Sequence, residues 1–196
     1  MEVAFVSRNP GKLRELRALL PEWEIEALDT TGIGEETGET FYENAREKAR
    51  FGRTAAPADV WVLGEDSGLE VDALGGAPGI HSARFAGPGA TGGENLGQLL
   101  EELRGVAVKG RRARYVCELV LLSPAGEEHR GRGTLEGAIA ERARGTGGFG
   151  YDPVFVPDGE TETVGVLGDA WKARNSHRAR AARALTEELR AACHAG

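Results

Sequence analysis

Glu2-Val3-Ala4-Phe5-Val6-Ser7-Arg8-Asn9-Pro10-Gly11-Lys12-Leu13 opens the chain with an apolar run that gives way to a polar loop. The run over residues 2–6 reads as a first strand. Asn9 followed by Pro10 reads as an N-cap with proline at the first helical position, where its missing N–H leaves no bond unmade. Leu13, Leu16 and Leu20 recur at i, i+3 and i+7, so an amphipathic helix is expected over residues 10–20. Downstream, residues 23–28 read as a second strand, and the polar, glycine-rich residues 30–39 as a loop. Thr40-Phe41-Tyr42-Glu43 fits a capping box, opening a helix that runs through Lys48 toward Thr54. Val60-Trp61-Val62-Leu63 reads as a buried strand ending at Gly64-Glu65-Asp66-Ser67-Gly68. Residues 69–74 look extended, residues 75–93 form a glycine-rich excursion, and residues 95–103 a helix. Residues 114–122 and 134–140 are rich in branched side chains and flank Pro124-Ala125-Gly126, which suggests antiparallel pairing. Val154-Phe155-Val156 is a short strand. The last helix is expected over residues 176–193, with Ala182, Leu185, Leu189 and Ala192 on one face. Early helices, long paired strands in the middle and a final helix imply a mixed α/β protein. Two lobes around a cleft are the expected arrangement, with residues 1–196 forming a single two-lobed domain.

Composition narrows the function. The 196 residues include 24 basic and 31 acidic side chains, a net charge of −7. Such a surface repels a phosphate backbone, so no general nucleic-acid partner is expected. No run of about 18 apolar residues exists, so no membrane span is expected. The acidic start lacks the basic and apolar parts of a signal peptide. Cys117 and Cys193 lie far apart without metal-type spacing, which points to a reducing cytoplasm. His81, His129, His177 and His194 form no zinc motif. The 29 glycines sit mainly at junctions between elements, as backbone turned toward a ligand would require.

Four segments carry candidate chemistry. Ser7 to Lys12 leads a strand into a helix N-terminus, an anion site to which Arg8 and Lys12 add full charges; helix capping alone would also explain Asn9. Glu65 and Asp66 follow four residues of an apolar strand, where packing explains carboxylates poorly. Carboxylates there can hold Mg²⁺ or orient a water, although a turn is the alternative. Gly145-Thr146-Gly147-Gly148-Phe149-Gly150-Tyr151-Asp152 contains G-x-G-x-x-G, but a strand rather than a helix follows it, which excludes the dinucleotide fingerprint. What is left is a close-approach loop whose two aromatics stack on a base, or lie in the core. Lys172-Ala173-Arg174-Asn175-Ser176-His177-Arg178 gathers cations at a helix start, where the dipole disfavours them unless an anion compensates. On the second helix, Glu43 and Lys48 read as a capping residue and a solvated face. Gly11-Lys12 is followed by Leu13, so there is no P-loop.

Taken together these segments resemble the inosine triphosphate pyrophosphatase family, the XTP/dITP diphosphatases. The matching pieces are Ser7 to Lys12, Glu43-Asn44-Ala45 with Lys48, and Glu65-Asp66-Ser67-Gly68-Leu69. They continue with Gly75-Gly76-Ala77-Pro78-Gly79, Ser82-Ala83-Arg84, Gly145 to Pro153, and Lys172 with Ser176-His177-Arg178. Their order and spacing match from end to end. The resemblance implies an elongated α/β fold, a mixed β-sheet with flanking helices in two lobes around a substrate cleft, and a cytoplasmic homodimer. It implies Mg²⁺-dependent cleavage of ITP, dITP and XTP between the α- and β-phosphates, which cleanses the nucleotide pool. Asp66 matches the proton acceptor and metal ligand. Glu35 matches the acidic-loop metal ligand, with Glu36 one residue away, and Glu65 assists as a further metal ligand. Ser7, Arg8, Asn9, Pro10, Gly11 and Lys12 match the triphosphate loop. Lys48, Ser67, Phe149, Gly150, Tyr151, Asp152, Lys172, His177 and Arg178 match substrate-binding positions. Three features depart from the pattern: Arg8 in place of glycine, His81 in place of tyrosine, and Gly168-Asp169-Ala170-Trp171 before Lys172.

The mechanism such a site implies is physical. Lys12, Lys48 and Mg²⁺ neutralise the triphosphate, while Asp66 deprotonates the attacking water. Glu65 beside Asp66 is expected to raise its pKa by like-charge repulsion. A donor from His177 or Arg178 would accept a 6-oxo purine and leave adenine unpaired. A pyrophosphatase of broader specificity is the alternative enzyme, and a nucleotide-binding sensor without turnover is the alternative class.

Overall fold

The computed structural model describes residues 1–29, 31 and 36–195, with side chains up to residue 192. Among the described residues six strands are hydrogen-bonded in the order β2–β1–β3–β4–β5–β6. In chain order they are β1 (Glu2–Val6), β2 (Glu24–Ala27), β3 (Trp61–Val71), β4 (Arg112–Leu122), β5 (Glu128–Ile139) and β6 (Phe155–Pro157). The α-helices are α1 (Pro10–Leu19), α2 (Phe41–Ala55), α3 (Gly92–Glu102), α4 (Val164–Asn175) and α5 (His177–Ala195). β1 pairs parallel with β2 and with β3, with Phe5 opposite Ala27 and Leu63, whereas β5 pairs antiparallel with β6. β4 and β5 are sheet neighbours joined by five residues, too few for a parallel crossover, so the expected antiparallel pairing holds. The fold is a mixed α/β sheet with flanking helices, as its pattern implied.

The chain divides into two compact units. The first comprises Met1–Asp66, Cys117–Gly133 and His177–Gly196; the second comprises Ser67–Val116 and Thr134–Ser176. β3, β4 and β5 contribute residues to both.

The first unit is layered by strand alternation. Val3, Phe5, Leu63, Cys117, Leu119 and Leu121 share a core with Leu16 of α1, Leu20 at its C-cap, and Ala181, Ala182 and Leu185 of α5. On the opposite face, Val120 and Leu122 pack with Ala45 and Ala49 of α2, and Ala4, Val6 and Val62 with Phe51. The second unit has its own core, in which Leu69, Val71, Tyr115, Leu135 and Ile139 meet Leu99 of α3, Leu103, Val154 and Phe155.

Local signals behaved as chemistry requires. Asn9 caps α1 by accepting from the N–H groups of Gly11 and Lys12 at 2.9 and 3.3 Å. Thr40 and Glu43 form the expected capping box of α2. Thr91 and Glu94 form a second one at α3.

Three expectations are corrected. β3 does not stop at Gly64 but continues to Val71, so Glu65 and Asp66 lie inside a strand. β5 begins at Glu128, because its alternation of buried and exposed residues extends through Arg130 and Arg132. α4, with a break at Gly168, was missed for want of an apolar stripe: Val164, Gly165 and Lys172 are its buried positions.

Candidate active site

Adjacent residues of a strand face opposite sides of a sheet, and this separates Glu65 from Asp66. Asp66 faces α2. That helix lies so close to β3 at Gly64 that a β-carbon there would sit 2.0 Å from the Ala45 carbonyl oxygen. Any larger residue would hold the helix off, and with it Lys48 and Asn44, which are one turn apart on the same helix face. The Lys48 Nζ donates to Asp66 Oδ1 at 2.8 Å and to the Glu65 backbone oxygen at 3.1 Å. It also lies 2.6 Å from Glu36 Oε1. Asn44 Nδ2 donates to Asp66 Oδ2 at 3.3 Å, while its own Oδ1 accepts from the Gly38 N–H at 2.9 Å, tying the loop after Glu36 to the strand.

Burial pushes the Asp66 pKa upward. Lys48 and Lys12 pull against it without cancelling it, and Glu36 adds to the rise. The like charge that matters to Asp66 is therefore Glu36. The expected repulsion from Glu65 is corrected, since that side chain faces the other side of the sheet. Lys48 is opposed by burial, but Asp66 and Glu36 outweigh this and raise its pKa, so it stays an ammonium.

Glu65 faces α1 and α5. Its side chain is fully buried, with Oε2 2.6 Å from Lys12 Nζ and Oε1 2.9 Å from Arg178 Nη2. Arg178 is 1 % exposed and also donates to Glu15. Burial works against its charge, but Glu65 and Glu15 overcome this and hold its pKa above the usual value. These carboxylates are the anions that a cation in the first turn of α5 requires. Cys117 Sγ lies 3.5 Å from Glu65 Oε1, and burial together with that carboxylate pushes the thiol well above its ordinary pKa. In the phosphate-loop candidate, the Asn9 N–H donates to Ser7 Oγ at 3.1 Å. Because Asn9 itself takes the N–H groups of Gly11 and Lys12, positive potential at this helix end comes from Arg8, Lys12 and the dipole.

The second unit holds a separate cluster. Asp152 Oδ2 accepts from Lys172 Nζ at 2.6 Å and from the Phe149 N–H at 2.9 Å, and Oδ1 accepts from the Tyr115 hydroxyl at 3.3 Å. The Lys172 ammonium lies 4.6 Å from the centre of the Phe149 ring. Gly148 has φ +73°, and a β-carbon there would strike Asp152 Oδ2 at 2.1 Å, so the tight approach of loop to carboxylate needs glycine. Tyr151 takes the core role: it is buried, its hydroxyl donates to the Ser82 carbonyl at 2.8 Å, and burial raises its pKa. Lys172 lies in the last turn of α4, where the dipole favours a cation.

The structure thus gathers Ser7, Arg8, Asn9, Pro10, Gly11, Lys12, Lys48, Glu65, Asp66, His177 and Arg178 on the first unit. Ser67, Phe149, Gly150, Tyr151, Asp152 and Lys172 belong to the second. Glu35 lies outside the described residues. Asn44, Glu15, Cys117 and Tyr115 are additions. Asn44 was findable from its i, i+4 relation to Lys48; the other three make contacts too distant in sequence to leave a signal.

Among the described residues no group of three or more His, Cys, Asp or Glu side chains gathers as a metal site. Glu36 and Asp66, however, already hold one cation, the Lys48 ammonium, between carboxylate oxygens. Hard oxygen donors of that kind suit Mg²⁺, which takes one or two carboxylates and completes its shell with waters and phosphate oxygens.

The chain is similar to known proteins over nearly its full length. The dITP/XTP pyrophosphatase of Bdellovibrio bacteriovorus is 44% identical over 195 residues, covering 96% of this chain and 98% of that one. The dITP/XTP pyrophosphatase of Escherichia coli K12 is 43% identical, again covering 96% and 98%. A HAM1 protein from Coxiella burnetii superposes with a TM-score of 0.84 at 36% identity, covering 97% of this chain and 99% of its own. The resemblance carried by the motifs is borne out, and since the Ham1 family pattern matches residues 3–188, the chain belongs to the Ham1 family.

Proposed function

We propose that this chain hydrolyses non-standard purine nucleoside triphosphates, ITP, dITP and XTP, to the monophosphate and pyrophosphate. The full-length likeness to dITP/XTP pyrophosphatases supports the reaction. The observation that carries it onto these residues is the Glu36–Lys48–Asp66 cluster, in which a buried carboxylate is paired with a lysine ammonium suited to a polyphosphate. Arg8, Lys12 and Lys48 bind and neutralise phosphate oxygens, which otherwise repel an incoming nucleophile. Asp66, its pKa raised, accepts a proton from the attacking water. The water oxygen bonds to the α-phosphorus, the bond from that phosphorus to the bridging oxygen breaks, and pyrophosphate leaves. Asp66 and Glu36 are the proposed ligands of Mg²⁺, which when bound polarises phosphate oxygens. His177 is the proposed donor to a 6-oxo purine, with Arg178 held by Glu65 and Glu15 as a buried positive charge next to it in sequence, and Phe149 is proposed to offer a ring for stacking. A homodimer and a cytoplasmic location are proposed with this reading. No helix among the described residues is long and apolar enough to cross a membrane.

The test is incubation with ITP and Mg²⁺, with ATP and GTP in parallel. IMP and pyrophosphate are expected, with ATP and GTP largely spared. Orthophosphate as product, or equal turnover of all three, overturns the proposal. Asp66→Asn should lower kcat about 10²–10⁴-fold while leaving the fold intact.

A further inference from the structure

Three oxygens surround the Lys48 ammonium: Glu36 Oε1 at 2.6 Å, Asp66 Oδ1 at 2.8 Å and the Glu65 carbonyl at 3.1 Å. An ammonium has three protons, and these acceptors match them. The side chain is mostly buried, with 16% exposure, and comes from the α2 face that Gly64 allows against the strand. The cation between the two carboxylates is thus supplied by the protein itself.

We propose that Lys48 is an intrinsic competitor for the divalent metal: its ammonium and the metal ion contend for Glu36 and Asp66, so the metal binds weakly until nucleotide gives Lys48 other anions to pair with. This rests on the reading of Glu36 and Asp66 as the metal pair. It adds a coupling that the reading alone lacks. Phosphate oxygens that draw Lys48 away from the carboxylates strengthen metal binding, and by linkage the metal strengthens nucleotide binding by the same factor. The device matches metal loading to the presence of substrate. It also keeps the buried Asp66 carboxylate, and the partly exposed Glu36 beside it, paired with a counter-charge.

The consequence is an effect of unexpected sign. Lys48→Met removes a candidate phosphate ligand and should weaken nucleotide binding, yet it should tighten metal binding in the absence of nucleotide. A coupling of ordinary size predicts a Kd lowered about tenfold. Lys48→Arg retains the charge and should keep the weak affinity of the parent. The measurement is titration of Mn²⁺ without nucleotide, followed by loss of its free-ion paramagnetic resonance signal, with Mg²⁺ as competitor and circular dichroism as a check on folding. Tightening in Lys48→Met and none in Lys48→Arg supports the proposal. Equal or weaker binding by a folded Lys48→Met, or equal tightening in both variants, overturns it. If Lys48→Met does not fold, the ¹H–¹⁵N resonance of the Lys48 ammonium in the parent decides: saturating Mg²⁺ should move it, and an unmoved signal overturns the proposal. Absence of Mn²⁺ binding by the parent and every variant would instead overturn the metal pair itself and this proposal with it. Binding by the parent without tightening in Lys48→Met overturns the competition alone.

Discussion

Replacing Glu65 by alanine tests the side of the strand that faces away from Asp66. Its carboxylate is fully buried, 2.6 Å from Lys12 and 2.9 Å from Arg178. Lys12 retains 15% exposure and can turn its ammonium to water, which softens its loss. Arg178 has no such exit at 1% exposure, although it keeps Glu15. Breaking a buried ion pair from one side costs about 3–5 kcal/mol because the other charge is left in low dielectric. The retained Glu15 contact places Glu65→Ala at the lower end, about 3 kcal/mol. For a chain of this size that corresponds to a Tm lowered by roughly 6–12 °C. Urea unfolding followed by circular dichroism, without metal or nucleotide, reads the free energy directly. A double-mutant cycle sharpens it: Glu65→Leu with Arg178→Met removes both charges and should cost less than the sum of the single changes. A loss below about 1 kcal/mol in Glu65→Ala, or additivity in the cycle, refutes the reasoning, because the pair would then contribute no more than an exposed one.

Gly64→Ala should destabilise by about 3 kcal/mol in urea, since its β-carbon meets backbone atoms of Ala45 and Ala49 that cannot yield without shifting α2; an unchanged midpoint would show that the close approach is not there. In a Cys193→Ser chain, Cys117 should resist aromatic disulfide reagents in the native state and react fully in denaturant, because its thiol is buried and its pKa lies well above the ordinary value. Rapid labelling of native protein contradicts that. Asp66 has a raised pKa in the folded state, so its contribution to stability is greatest below the unfolded value near 3.8 and is lost as pH rises through the folded value. The metal-free parent should therefore lose stability relative to Asp66→Asn between pH 3.5 and neutrality, and the opposite trend in paired urea titrations would refute the assignment.

Much of this architecture is legible in the sequence because its signals are local. Asn9-Pro10 marks the start of α1 and Thr40 with Glu43 that of α2, each through hydrogen bonds within three residues. The candidate site is legible for a related reason: charged residues in apolar or glycine-rich surroundings are conspicuous. What the order of residues does not display is pairing. Arg178 finds Glu15 across 163 positions, and Asp152 finds Tyr115 across 37. The end of β3 was misplaced because Gly64-Glu65-Asp66-Ser67-Gly68 has the composition of a turn. Burial between helices and ion pairs to those helices keep it extended instead. α4 escaped notice for the converse reason, since a helix with few buried positions has no stripe to read.

The adjacency of Glu65 and Asp66 invites a joint reading as a carboxylate pair, and strand geometry argues against it. The pleat sends the first toward α1 and α5 and the second toward α2, so each acquires its own direct ion-pair partners. Glu65 pairs with Lys12 and Arg178, while Asp66 meets Lys48 and Asn44 and feels Lys12 only through its field. Two like charges in sequence thereby avoid sharing one microenvironment, in which mutual repulsion would protonate one of them. A register slip of one residue would exchange their faces, placing the longer side chain against α2 and the shorter one short of Arg178. The parallel pairing of β3 with β1, in which Val6 lies opposite Gly64, forbids that slip. The position of the candidate base is therefore determined two residues upstream, by the glycine that lets α2 reach the strand.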